Sequence, residues 1–212
     1  MKALVIGATG ATGKDLVETL ANDTSYTEVV LFVRRLSGNK HPKITEVLTD
    51  FNNPGSVSDI VRGDVLFCCL GTTLQAAGSK EKQWEIDYEI PARFAEIASK
   101  NKVSSVVLLS AYAANPSSNV FYSSMKGKLE EHFRKLSFER LIIFRPGLLL
   151  RKDTDRWGEK ASAAVLKIVN AVGLFSKFRP MPTKVLAEKM AKAPKTLSSG
   201  EQIVSLQHIF DY

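Results

Sequence analysis

Short runs of consecutive apolar, often β-branched residues recur along the chain at 3–6, 28–33, 44–48, 65–70, 103–109 and 140–144. Runs this short, with so few polar interruptions, read as strands buried on both faces. Between them, 12–21, 82–100 and 122–136 place apolar residues three and four apart, the spacing of helices with one buried face. Strand and helix in alternation predict an α/β fold built on a parallel sheet covered on both sides. Pro91 falls inside the 82–100 pattern, where its fixed φ and missing N–H should start or kink the helix.

After residue 144 the pattern changes. Arg145-Pro146-Gly147 stops the sixth run, and a polar loop with Asp153, Asp155 and Trp157 leads to an apolar helix at 161–172. A further helix is expected at 184–193 and a last strand at 202–206, able to join the sheet edge. The reading is one domain over residues 1–212, with 147–200 forming a small cap that meets the substrate.

Composition narrows the class. A chain of 212 residues, 44% hydrophobic and 24% charged, is ordinary for a globular protein and long enough to bury a core without staples. The two cysteines, Cys68 and Cys69, are adjacent and cannot clamp distant segments, so a reducing, cytoplasmic setting is expected. His41, His132 and His208 are far apart in sequence and form no ligand spacing, so no metal site is expected. The apolar stretch near Met1 is far shorter than a signal-peptide core or a membrane span, and no export or membrane insertion is expected. Most of the +7 net charge lies after residue 150. There the lysines, among them Lys160, Lys167, Lys177, Lys184, Lys189, Lys192 and Lys195, are spread singly as on a solvated helical face, which argues against nucleic acid as a partner.

In a sheet of this type, ligands bind beyond the carboxyl ends of the strands, so the residues that follow each strand carry the functional search. The first strand runs into Gly7-Ala8-Thr9-Gly10-Ala11-Thr12-Gly13 and directly into a helix. Glycines there permit a tight turn and let backbone amides approach a pyrophosphate resting on the positive end of that helix. This context makes the fold class Rossmann-type and doubly wound. At the end of the second strand stand Arg34 and Arg35, where an acidic residue would hold the ribose hydroxyls of NAD. Their charge instead suits the 2′-phosphate of NADP. Asp50-Phe51 ends the third strand, where a carboxylate can accept the adenine amino group and a ring can lie on the base. After the fourth strand, Leu70-Gly71-Thr72-Thr73 offers a close backbone approach at Gly71 and two hydroxyls for ribose or phosphate.

Ser110 follows the fifth strand, and Tyr122 and Lys126 share one face at the start of the next helix, four residues apart. An ammonium beside a phenol favours its ionised form, and the same ammonium can hold the nicotinamide ribose. Ser110 would hydrogen-bond the substrate oxygen while Tyr122 gives or takes its proton and the cofactor moves a hydride.

With these pieces assembled, the chain resembles the atypical branch of the short-chain dehydrogenase/reductase superfamily over essentially its whole length. Its matching segments are the GATGATG loop, LLSAYA, YSSMK and FRPG. It is most similar to the Tat-interactive-protein-like oxidoreductases through residues 69–73, 144–147 and the Arg-Trp-Gly segment at 156–158. The resemblance implies NADP(H), the trio Ser110, Tyr122 and Lys126, and the Pro146-Gly147 backbone near the nicotinamide. It also implies an Asn at a position that looks like Asp87 here, which puts in doubt the usual proton relay through Lys126 and a water. The expected activity is NADP(H)-dependent hydride transfer to or from a small carbonyl or alcohol. A different class also fits the residues: an NADP(H)-binding regulatory protein with little turnover, acting on a protein partner or as a homodimer. Redox-neutral chemistry such as epimerisation is a third reading.

Overall fold

The computed structural model describes residues 1–150 and 179–212. Its centre is a seven-stranded, wholly parallel sheet. In chain order the elements are β1 (Lys2–Ile6), α1 (Ala11–Asn22), β2 (Glu28–Val33) and β3 (Ile44–Leu48). A 3₁₀ turn (Pro54–Ile60) leads to β4 (Val65–Cys68), followed by α2 (Leu74–Ala77), α3 (Lys80–Trp84), a π-helical turn (Glu85–Glu89) and α4 (Ile90–Lys100). Then come β5 (Ser105–Leu109), α5 (Phe121–Arg134), β6 (Arg140–Arg145), the short pair β7 (Leu149–Leu150) and β8 (Met181–Pro182), α6 (Thr183–Thr196), β9 (Gly200–Ser205) and α7 (His208–Asp211).

The strand order is β3-β2-β1-β4-β5-β6-β9. From β1 the chain moves outward to β2 and β3, then crosses back to β4 and builds the other half. The order therefore reverses between β1 and β4, which leaves a crevice at their carboxyl ends. All six expected central strands are present, and the last strand, expected at 202–206, pairs with β6 as Gly200–Ser205.

Period-two alternation within each strand divides the core in two. Ala3 and Val5 of β1 face α1 and α6 with Leu16, Leu20, Leu186 and Met190. Leu4 and Ile6 face the other layer with Val57, Phe94, Leu129 and Phe133. Both faces of the central strands β1, β2, β4, β5 and β6 are dry, as their unbroken apolar runs require, while the edge strands β3 and β9 are partly exposed. α6 covers the sheet beside α1, and Thr183 Oγ1 donates to the buried Asp15 of α1 at 2.6 Å. Tyr26 is fully buried, and its hydroxyl donates to Ala191 O at 2.7 Å, tying the turn before β2 to the same helix.

Residues 183–200 of the stretch read as a cap thus cover or join the main sheet. The expected loop with Asp153, Asp155 and Trp157, the helix at 161–172, Lys160, Lys167, Lys177 and the 156–158 segment lie outside the described residues. The 82–100 pattern is one continuous helical path through α3, the π-helical turn and α4, and Pro91, which has no N–H to give a carbonyl one turn back, falls just after the widened turn.

Candidate functional site

The crevice opens as two clefts of about 560 Å³ and 310 Å³ that share Gly10, Cys69, Leu70, Gly71 and Thr72. The smaller is also walled by Gly7, Thr9, Phe32, Arg34 and Phe51. The larger takes in Ala11, Thr12, Thr73, Ser110, Tyr122, Lys126 and Pro146. Residues that stand far apart in sequence, from the first, fourth, fifth and sixth strand ends, are thereby brought onto one continuous trough.

Its floor is glycine-built. Gly7 has φ +82°, and a Cβ there would stand 2.5 Å from the Cys69 carbonyl carbon, so the ends of β1 and β4 meet backbone to backbone. A Cβ on Gly13 would fall 2.0 Å from Gly7 O, so the first turn of α1 lies flush on the loop. Gly10 is the N-cap of α1 and has no side chain with which to cap the first turn of that helix. Its leading N–H groups and the positive end of its dipole are left to face the trough, the arrangement that receives a pyrophosphate. A dinucleotide fits these features.

Around this floor the expected binding residues divide. Arg34 walls the smaller cleft, whereas Arg35 is exposed and belongs to neither wall among the described residues. Phe51 lines the smaller cleft and packs its ring on Phe94, 5.6 Å between centroids. Asp50 is not brought to the trough: its Oδ1 accepts the Asn52 N–H at 3.0 Å, a local turn competing for the carboxylate expected to meet adenine. Thr73 does line the larger cleft, and its hydroxyl oxygen also accepts the Ala76 N–H at 3.2 Å and caps α2, which leaves its hydrogen to donate.

Thr72 is clamped at both backbone atoms. Its N–H donates to Asp87 Oδ1 at 2.8 Å, and its carbonyl accepts from Gln83 Nε2 at 3.1 Å. The π-helical turn brings Asp87 inward, where it is fully buried. Its other oxygen, Oδ2, has no hydrogen-bond partner among the described residues and lies 4.0 Å from the buried Lys126 Nζ. Burial pushes the Asp87 carboxyl above its ordinary value, opposed by the Lys126 charge and the Thr72 N–H. Lys126 Nζ also sits 5.9 Å from the centre of the Tyr122 ring, and Tyr122 is 39% exposed toward the trough. Asp87, Lys126 and Tyr122 thus form a line from the interior to the open cleft.

Ser110 is buried, and its hydroxyl donates to Glu130 Oε1 at 2.6 Å. Arg145 Nε donates to the same oxygen at 2.9 Å, while Arg145 Nη2 and Arg134 Nη2 reach Oε2. Glu130 and Arg145 were not singled out by the sequence reading. The available signal was spacing: Tyr122, Lys126 and Glu130 recur every four residues on one face of α5.

Both cysteines are free and buried. Cys69 walls the trough, yet burial pushes its thiol up to about 12, and the thiolate is the reactive form. Titration of the folded protein with a chromogenic disulfide at pH 8 is expected to find no reactive thiol, and unfolding to release two. A thiol that reacts rapidly in the folded state would contradict this packing.

A family model described as NAD(P)H-binding matches residues 7–161. The FMP52 protein of Eremothecium gossypii is 33% identical over 166 residues, 78% of this chain and 74% of that protein. HTATIP2 of Rattus norvegicus is 33% identical over 150 residues, 69% of this chain and 62% of its own length. Among solved structures, a short-chain dehydrogenase/reductase superfamily protein from Agrobacterium tumefaciens with bound NAD has a TM-score of 0.71 at 18% identity, covering 97% of this chain and 77% of that one. These findings bear out the resemblance read from the sequence and the Rossmann-type fold. They overturn the cytoplasmic expectation, because the FMP52 proteins of Eremothecium gossypii, Saccharomyces cerevisiae and Scheffersomyces stipitis are named mitochondrial. Free thiols speak to redox conditions and do not distinguish one reducing compartment from another. Among the described residues, no helix is long and apolar enough to cross a membrane.

Proposed function

Because the chain belongs to the NAD(P)H-binding family, we propose that it is an NADP(H)-dependent oxidoreductase acting on a small carbonyl or alcohol. The observation that carries this reading is the line of Asp87, Lys126 and Tyr122 ending in a cleft continuous with the glycine floor. The leading amides of α1 and the close approach at Gly7 would hold the pyrophosphate, with Arg34 beside the adenosine end. Bound nicotinamide supplies or accepts the hydride.

The remaining work falls to side chains. In the reducing direction, the Tyr122 hydroxyl gives its proton to the substrate oxygen as the carbonyl carbon is reduced, leaving the new alcohol and a phenolate. The Lys126 ammonium, held between the Tyr122 ring and Asp87, balances that charge. Asp87 fixes Lys126 electrostatically and holds the Thr72 backbone by a hydrogen bond, so one carboxylate supports both walls of the trough. Similarity to relatives named mitochondrial supports a mitochondrial setting for this activity.

Nucleotide preference rests on charge at the end of β2. Replacing both Arg34 and Arg35 by Ala is expected to weaken NADPH about tenfold or more while leaving NADH within about twofold, since a charge-assisted hydrogen bond is worth about 1.5–3 kcal/mol. Parallel titrations of the two nucleotides read this directly. Equal losses for both would remove the 2′-phosphate assignment. Oxidation of NADPH in the presence of small ketones tests the activity itself, and none with any ketone tried would overturn it.

A further inference from the structure

Ser110 lines the larger cleft, yet its one proton is committed elsewhere. Glu130 is fully buried, and its carboxylate accepts from Ser110, twice from Arg145 and once from Arg134. Between Oγ of Ser110 and Oε1 of Glu130, only the serine has a hydrogen to give. Arg134 is itself anchored to Glu201 of β9 at 2.8 Å, so the carboxylate is held from three elements: its own helix, β6 and, through Arg134, the sheet edge. Turning the serine proton toward the cleft would leave Oε1 with Arg145 Nε alone and give up a buried, charge-assisted O–H···O⁻ bond of 2.6 Å, one of the stronger kinds of hydrogen bond.

A hydroxyl with its donor spent has only lone pairs left to present. A carbonyl oxygen placed against Ser110 would set lone pair against lone pair. We propose that Ser110 meets the substrate as an acceptor, fixed in that role by Glu130, and that the substrate therefore carries a hydroxyl close to its reacting carbonyl. The substrate class is a hydroxyketone, or a vicinal diol in the reverse direction. Tyr122 serves the carbonyl oxygen, and Ser110 accepts from the neighbouring hydroxyl. Glu130 is a positioning residue, since it acts through Ser110. This assignment deepens the reductase reading of the same cleft and rests on it for turnover.

The test compares 2-hydroxyacetophenone with acetophenone, which differ by that hydroxyl. Dissociation constants are measured on the protein loaded with NADP⁺, and kcat/KM with NADPH, for the wild type and Ser110→Ala. The expected result is a preference of about tenfold for the hydroxyketone in binding, the size of one net hydrogen bond. In Ser110→Ala the ratio is expected to fall to about one. An unchanged ratio in Ser110→Ala, equal affinity in the wild type, or binding of neither ketone would each overturn the inference. A tenfold binding preference that Ser110→Ala abolishes, with no NADPH oxidised by either ketone, would support the acceptor role and overturn the reductase reading instead. Glu130→Gln, which disturbs the same acceptor without touching the cleft wall, is expected to shrink the ratio at least twofold. A ratio unmoved by that change would overturn the positioning role.

Discussion

Replacing Tyr122 by Phe is expected to lower kcat for ketone reduction by about two to four orders of magnitude, the range that a positioned general acid contributes. The change removes one oxygen and leaves the ring that faces Lys126. Nucleotide affinity is therefore expected to stay within about twofold, since the glycine floor and the amides of α1 lie at the other side of the trough. Stopped turnover with intact binding is the signature of a lost proton donor. If the variant reduces ketones as fast as the parent, the acid role does not belong to Tyr122. If the parent itself binds nucleotide tightly and reduces nothing, the regulatory reading gains what the enzymatic one loses.

The largest effect on binding is expected at Gly13. A methyl there would stand 2.0 Å from Gly7 O and 2.9 Å from Gly7 C, so either the loop or the helix must move. Overpacking of this kind costs about 1–3 kcal/mol, and this contact is with rigid backbone, which places it at the upper end. Gly13→Ala is expected to weaken nucleotide binding about a hundredfold. It should also lower the melting temperature, because the displaced loop joins β1 to α1 at the centre of the sheet. Gly55→Ala serves as a control, since its methyl would meet only Asn53 Oδ1 at 3.5 Å, an ordinary contact. Equal behaviour of the two variants would contradict the flush packing of α1 on the loop.

These two positions also show what a sequence can disclose. The glycine loop is legible because its chemistry is local: strand, turn and helix start are contiguous, and each glycine answers a constraint set by close neighbours. Tyr122 and Lys126 are legible for the same reason, being one helical turn apart. The central strands were legible because both their faces are dry, which leaves unbroken apolar runs.

The support behind the site was harder to read. Asp87 was tied to Lys126 only through the family resemblance; its hold on Thr72 and the π-helical turn that carries it were not read, since a single widened turn hardly disturbs the helical periodicity of 82–100. Glu130 shares the four-residue spacing of Tyr122 and Lys126 and meets Arg134 on its own helix, but its partners on β6 and at the end of β5 are created by the order of strands, which spacing does not show. Asp50 was assigned to the cofactor on position alone, whereas a short-range hydrogen bond from Asn52 engages it; Thr73 does line the larger cleft, with its hydroxyl oxygen also capping α2. Polar side chains beside turns often satisfy the backbone first.

The central claim, a trough built for NADP(H), is met most directly by calorimetric titration of the cofactor-stripped protein with NADPH and NADH at one salt concentration. The account predicts saturable binding of NADPH with a dissociation constant at least about tenfold below that of NADH, the difference that one charge-assisted contact to the 2′-phosphate supplies. Binding of neither nucleotide, or an equal affinity for both, would contradict it.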